Sequence, residues 1–135
     1  METLTLEIVT PEAVVYSKPV AMITLPGVEG QMGILPQHMP LMTQMVPGEI
    51  IIQIDGHDEF LAVGEGLVEI TADRVQILTD MAVPADSIDE AKAEEARRRA
   101  EARLREKMSD EEVASVNAVL ARSLAQLRVK RRHHV

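Results

Sequence analysis

Five cations, Arg122, Arg128, Lys130, Arg131 and Arg132, crowd the end of the chain. Groups of this kind complement the partial negative charge of a helix C-terminus, and they also pair with an acidic partner surface. The charge pattern supports both readings. His38 and His57 lie in turn-like segments and His133-His134 sits at the end of the sequence. None has a second ligand at metal spacing, so solvated histidine explains each better than a metal centre. Gly27, Gly30 and Gly33 recur three apart. They lack the Lys-Ser/Thr pair of a phosphate loop and the dinucleotide fingerprint, and read instead as glycine turns in a surface loop. Acidic residues are plentiful, but no Ser/His/Asp set or paired-carboxylate signature separates itself from them, which points away from an enzyme.

The rest of the composition narrows the partners. The only aromatic residues are Tyr16 and Phe60, so platforms for base stacking are lacking and nucleic-acid binding is disfavoured. Cysteine is absent, which removes disulfide and thiolate chemistry and agrees with a reducing compartment. No apolar run approaches the ~20 residues that span a bilayer, and Met1-Glu2-Thr3-Leu4 lacks the basic-then-apolar pattern of a signal peptide. Any membrane association is therefore expected to be peripheral. Divided after Ala85, the net charge of −8 splits into −10 and +2, as if separate surfaces met separate partners.

The elements that must position these residues fall into two periods. Leu4, Leu6 and Ile8 alternate with Thr5, Glu7 and Val9, and similar short runs recur at 14–16, 20–25, 49–54, 59–63, 67–71 and 74–79. Such runs read as strands. Asp55-Gly56 predicts a hairpin of type I′, and Ala72-Asp73 a second. Every Gly and Pro lies at or before Pro84, so turn chemistry belongs to residues 1–85, which read as an antiparallel β-sandwich or flattened barrel. Residues 86–135 turn helical. Ser87-Ile88-Asp89-Glu90 reads as a capping box before a helix over 91–107, and Ser109 with Glu112 as a second box before a helix to about residue 130. Together they predict an antiparallel helical hairpin. Ala93, Ala96, Ala100 and Leu104 stripe one helix, and Val113, Val116, Leu120, Leu124 and Leu127 the other. Small alanines bury little area, so the hairpin is expected to hold loosely and to move. Glu94 with Arg98, Glu95 with Arg99 and Glu101 with Arg105 are Glu-first i,i+4 pairs that would support an exposed helix.

Several stretches carry a resemblance. They are Val9-Thr10-Pro11-Glu12, the run from Leu25-Pro26-Gly27 through Gly33-Ile34-Leu35-Pro36-Gln37-His38-Met39-Pro40-Leu41, then Pro47-Gly48-Glu49-Ile50, Ile77-Leu78-Thr79-Asp80 and Ile88-Asp89-Glu90-Ala91. In this order and spacing, over essentially the whole chain, they resemble the epsilon subunit of F-type ATP synthases, called delta in mitochondria. One departure is Val63-Gly64-Glu65-Gly66-Leu67, where relatives usually have Gly-Gly-aromatic.

The resemblance implies about ten strands in the sandwich and a non-catalytic rotor subunit that couples ATP synthesis to ion transport. Its sandwich would bind the gamma subunit and rest on the membrane c-ring, with Glu29, Gln31 and His38 toward the ring. Its hairpin would move between a compact form and one extended into the alpha-beta head, where it inhibits hydrolysis. Arg122, Arg128, Lys130 and Arg131 would then meet acidic loops of beta. The implied location is the cytoplasmic face of a bacterial plasma membrane, with the stromal face of a thylakoid as the alternative. No cofactor is required. Relatives that bind ATP carry Ile/Leu-Asp-x-x-Arg-Ala; here it reads Ile88-Asp89-Glu90-Ala91-Lys92-Ala93, with Arg99 and Arg122 matching further arginines and Gln126 replacing another. Asp89, Lys92, Arg99 and Arg122 are thus a candidate ATP site. It would be a weak one, because lysine lacks the bidentate fork of arginine. A generic adaptor carrying an interaction hairpin is the reading that needs no family.

Overall fold

The computed structural model describes residues 2–133; His134 of the terminal histidine pair lies outside them. Strict alternation builds the sandwich. Leu4, Leu6 and Ile8 on β1 (Leu4–Val9) and Gly48, Ile50, Ile52 and Ile54 on β6 (Gly48–Ile54) all point inward and are buried. Between them lie β2 (Val14–Val20), β3 (Met22–Gly27), β4 (Gly30–Ile34) and β5 (Leu41–Met45). After β6 come β7 (His57–Val63), β8 (Gly66–Ile70), β9 (Arg74–Thr79) and β10 (Ala82–Pro84). The sheet order is β10-β7-β6-β3-β5-β8-β9-β1-β2, with β4 paired to β3. Strand β3 pairs with β6 through Met22–Thr24 and with β5 only at Gly27. The sheet turns over there, leaving β10, β7 and β6 in one layer and β5, β8, β9, β1 and β2 in the other. One core cluster fills the space between, and all its fully buried members precede Met81.

Both hairpin turns form where the sequence predicts them. Asp55 and Gly56 have φ of 50° and 79°, the two positive values of a type I′ turn, and Thr71 N–H donates to the Arg74 carbonyl across Ala72-Asp73. Three strands escape the alternation pattern. Gly27, Gly30 and Gly33 do not form one surface loop: Gly27 and Gly30 flank the Val28-Glu29 turn between β3 and β4, with Gly30 at φ 126°, while Gly33 lies inside β4, paired with Thr24. Gly33 is in contact range of Met22, whose Cε would lie 2.9 Å from an added Cβ, so close strand packing, not a turn, uses the missing side chain. Strand β5 is mostly exposed and β10 is only three residues long, so neither shows a clean period. The pairings are antiparallel except that β1 and β9 run parallel, Leu6 beside Val75 and Ile8 beside Ile77.

A 3-10 turn at Ala85–Ser87 leads into α1 (Glu90–Arg103) and α2 (Asp110–Arg132). The first cap lies at Asp89 rather than Ser87, its carboxylate accepting from the Lys92 N–H at 3.1 Å. Asp outranks a displaced Ser because its charge also meets the helix dipole. Ser109 and Glu112 form the predicted reciprocal box. Ala93, Ala100 and Leu127 are buried as expected, but Leu124 is 40% exposed, and Ser123, Ala125 and Val129 are buried as well, the last two on a second side of α2. Glu95 pairs with Arg99 and Glu94 with Arg98, whereas Glu101 pairs with Arg97 in place of Arg105.

Candidate functional site at the seam between sandwich and hairpin

Helix α2 supplies the hairpin's main contacts with the sandwich, against β6, β7 and the 3-10 turn, while α1 packs chiefly on α2. The covered face is built by register: Glu49 on β6 stands beside Ala62 on β7, which stands beside Val83 on β10. Ala62 has no bulk to hold the helix away. Val129 of α2 closes over it, with Ile88 and the partly buried Phe60, Met81, Val83 and Ala85 around them. This small cluster is separate from the main core.

Charged groups frame it. Arg122 donates to Asp80 at 3.0 Å, and Gln126 one turn on reaches the Met81 sulfur. At the far end Arg132 donates to Glu49 at 3.0 Å, His133 also meets Glu49, and the His133 ring stacks on Phe60 at 3.7 Å between centroids. The Glu49 side chain is only 9% exposed. Arg131 instead turns to α1, where it binds Glu90 at 3.0 Å and Glu94 at 2.9 Å. Hydrogen bonds from Arg97, then from Arg131, hold the Glu94 carboxyl below its ordinary value, and bonds to Glu90 and Glu94 raise Arg131. Beside the seam a cleft of about 1110 Å³ is lined by residues including Tyr16, Lys18, Phe60, Lys130 and His133. Burial first, then a 2.9 Å bond to Glu59, raises the Tyr16 phenol well above its usual range.

Among the described residues nothing covers the outer face of the other layer, whose large apolar side chains are exposed. Register aligns Leu67, Leu78, Val9 and Val14 in one row across β8, β9, β1 and β2. Leu67 is 40%, Leu78 47% and Val14 58% exposed, a contiguous apolar row of the kind that marks a protein interface. Thr10, Gln44, Glu65 and Asp80 border the groove over it. The glycines of the departure Val63-Gly64-Glu65-Gly66 have local reasons: a Cβ at Gly64 would fall 1.8 Å from the Asp80 carboxylate, and one at Gly66 2.4 Å from the Leu78 carbonyl.

The residues singled out from sequence do not all come together. Glu29 lies in the turn of the β3–β4 hairpin and Gln31 just inside β4, both exposed. His38 lies past the other end of β4, in a loop tied to Ala72 by the Gln37 N–H. The strand between them is about 13 Å long at ~3.3 Å per residue. Asp89 caps α1, Arg99 pairs with Glu95 at 2.6 Å and Arg122 with Asp80. Lys92 is exposed, and none of the four candidate ATP residues lines the cleft or the groove above. Arg128 is exposed and Lys130 partly so. Reading for caps and charge missed the seam itself. Its available signal was Phe60-Leu61-Ala62-Val63, an unbroken apolar run of the kind that a strand shows when both its faces are covered.

A β-sandwich joined to a docked helical hairpin, with one outer face covered by its own helix and the other exposed among the described residues, defines a two-part module. Residues 3–85 match the ATP synthase Delta/Epsilon chain beta-sandwich domain and residues 86–131 the ATP synthase Delta/Epsilon chain long alpha-helix domain. The chain is 44% identical to the ATP synthase epsilon chain of Halorhodospira halophila, covering 95% of this chain and 92% of that one. It is 44% identical to that of Herpetosiphon aurantiacus over 92% and 91%, and 38% identical to that of Laribacter hongkongensis over 99% and 100%. The fold is shared with a chain of the Euglena gracilis mitochondrial ATP synthase (OSCP/F1/c-ring), with TM-score 0.75, 24% identity and coverage of 93% of this chain and 79% of that one. A chain of the Tetrahymena thermophila mitochondrial central stalk and c-ring gives TM-score 0.54 at 15% identity, covering 64% and 70%. The chain belongs to the ATP synthase delta/epsilon family and is a non-catalytic subunit of that complex.

Proposed function

We propose that the chain is a central-stalk rotor subunit, which couples the catalytic head to the membrane ring and restrains ATP hydrolysis through its hairpin. The observation that carries this reading is the division of apolar surface. The main core contains no residue of the hairpin, so α1 and α2 can leave without unfolding the sandwich, while the open row of Leu67, Leu78, Val9 and Val14 offers a permanent docking face. That row is the surface we assign to gamma. We assign the c-ring side to Glu29 and Gln31 at the hairpin tip and to the loop of His38, where Leu35 and Met39 are exposed. The cationic end of α2, Arg122, Arg128, Lys130 and Arg131, is assigned to acidic loops of beta in the extended form. No described helix is long and apolar enough to cross a membrane, in keeping with a peripheral position, which we assign to the cytoplasmic face of a bacterial membrane.

ATP binding at Asp89, Lys92, Arg99 and Arg122 would require Asp80 to give up Arg122 and Glu95 to give up Arg99. The compact form therefore favours the mechanical reading over the nucleotide-sensing one. The deciding experiment is ATP hydrolysis by the assembled head with the full chain and with the chain ended after Ala85. The shortened chain is expected to assemble with gamma and to raise hydrolysis. Unchanged hydrolysis overturns the inhibitory role, and failure to assemble overturns the assignment of gamma to the sandwich.

A further inference from the structure

On the outer face of the sandwich, the chain entering and running along β8 presents a carboxylate, an apolar side chain and a second carboxylate. Glu65, just before the strand, Leu67 and Glu69 follow at every second position, and all three are exposed. Glu65 is anchored by its backbone carbonyl, which accepts from the Thr79 hydroxyl at 2.8 Å and from the Asp80 N–H at 3.4 Å. At about 3.4 Å of rise per residue, each carboxylate stands roughly 7 Å to one side of Leu67. The apolar row of Leu67, Leu78, Val9 and Val14 therefore runs between two acidic borders. Asp80 continues the first beside Glu65, and Glu7 continues the second, in register with Glu69 through Gln76. These two already have partners: Arg122 holds Asp80 at 3.0 Å, while Arg74 and Gln76 donate to Glu7 at 3.1 and 2.7 Å. Glu65 and Glu69 form no ion pair among the described residues.

We infer that this face receives an amphipathic helix with basic residues on both flanks of its apolar stripe, lying across the strands with its cations on Glu65 and Glu69. The inference rests on the assignment of the apolar row to gamma and adds the kind of element that gamma supplies. Spacing favours a helix. Four side chains on neighbouring strands ~4.8 Å apart span about 14 Å, and three helical turns of ~5.4 Å span about 16 Å. One apolar side chain per turn then meets one strand at a time. The sheet sets the direction, because an element running along β9 would meet Leu78, Gln76 and Arg74 in turn, only the first of them apolar. Charge sets the flanks. A helix is ~10–12 Å wide with its side chains, so its two edges lie over the two borders. Lys or Arg there compensates a carboxylate that loses water on docking, whereas an acidic or wholly apolar helix would leave both carboxylates stranded. The row supplies the attraction, and Glu65 with Glu69 selects the partner.

The test is binding of the full chain to the catalytic head assembled without it, measured by surface plasmon resonance at low and high salt, with hydrogen exchange of gamma in the complex. Four proteins are compared: wild type, Glu65→Gln with Glu69→Gln, Asp55→Asn with Asp58→Asn, and Leu78→Thr. Asp55 and Asp58 belong to the β6–β7 hairpin of the opposite layer, so their pair controls for the loss of two negative charges. Leu78 is 47% exposed, and threonine keeps a strand-forming residue at that place in the row; thermal melting confirms that all four proteins fold. The glutamate pair is expected to bind about fivefold or more weakly at low salt, with the deficit closing at high salt. The aspartate pair should bind as wild type does, and Leu78→Thr should bind more weakly at either salt. Protection in gamma should include a helix of about three turns with Lys or Arg on both sides of its apolar stripe. Weaker binding by Leu78→Thr with no deficit in the glutamate pair, or protection without such a helix, overturns the inference while leaving the row to gamma. An equal deficit in the aspartate pair reduces the effect to net charge and also overturns it. Undiminished binding by Leu78→Thr overturns the assignment of the row to gamma beneath it.

Discussion

Replacing Val129 by Ala should release the hairpin while leaving the sandwich as stable as before. Val129 is 1% exposed and closes over Ala62 and Ile88. The change removes two methyl groups, each worth about 0.8 kcal/mol of transfer. A cavity contribution follows, because Ala62 is part of a paired strand and cannot rise to fill the gap. The total is about 2–3 kcal/mol against docking, or roughly a 30- to 150-fold shift of the docked-to-free ratio. Alanine is also a better helix former than valine, by several tenths of a kcal/mol, so α2 itself should not fray. The measurement is native-state hydrogen exchange. Amides of the 3-10 turn, around Ile88 and along the docked part of α2 should exchange faster by up to that factor, and the strand-paired amides of β6, β7, β1 and β9 should not change. Acceleration of β1 and β9 in step with the seam would show that the two clusters are one cooperative unit. No acceleration at the seam would show that α2 is held by something other than this contact.

Further outcomes follow from the same geometry. Gly66→Ala should lower the urea midpoint of the sandwich by the equivalent of about 1–3 kcal/mol, since its Cβ meets the Leu78 backbone carbonyl at 2.4 Å. Gly64→Ala should cost less, because the group it meets is the movable Asp80 carboxylate, but it should weaken docking by pushing Asp80 off Arg122; equal midpoints for the two variants would contradict this. Ending the chain after Ala85 should preserve cooperative melting of the sandwich, while a molten, dye-binding product would mean that α2 completes the core. Glu94 and Glu112 both have folded values below 4.5, through hydrogen bonds from Arg97 and from the Ser109 backbone respectively. Their stabilisation is therefore present above the unfolded value and lost as pH falls through the lower folded one. Helical circular dichroism should decline on acidification below about pH 4.5, and helicity that persists until the strands themselves unfold would refute it.

How much of this was legible depended on whether a residue's job was local. The alternation of Leu4, Leu6 and Ile8, the Asp55-Gly56 turn and the Ser109–Glu112 box are satisfied by neighbours in sequence, and each was readable. The cap at Asp89 was missed by two residues because Ser87 and Asp89 are both good caps, and the 3-10 turn that selects between them depends on where β10 ends. Gly30 keeps the turn role that the sequence suggests, closing the Val28-Glu29 turn with φ of 126°, whereas Gly33 lies within β4, paired with Thr24, a place set by the approach of β3. Leu124 was assigned to the apolar stripe by period alone. In the structure α2 is buried on two sides, with Ser123 and Leu127 on one and Ala125 and Val129 on the other, because it packs on both α1 and the sandwich, where Val129 meets the small Ala62. The ion pairs followed the same rule. Glu95 with Arg99 is local and formed, while Arg122 with Asp80 joins residues 42 apart and lies beyond any pattern in the helix.

The composition of the seam bears on why such a hairpin can be both docked and removable. A main core built from isoleucine, leucine and valine on β1 to β4 and β6 to β9, with Met45 from β5, holds through many contacts that must all break together. The seam has one valine, one isoleucine and an alanine fully buried, with larger groups only at its edges. Its ion pairs are mostly half in water, where each contributes about 0–1 kcal/mol and less as salt rises. Glu49 is the exception, with little exposure, and its partners sit on the last turn of α2. Losing that turn is therefore the change that converts a shielded carboxylate into a solvated one. This makes the end of α2 the point where docking is decided, and the Arg122 pair, with both side chains about a third exposed and three turns earlier, the weaker of the two anchors.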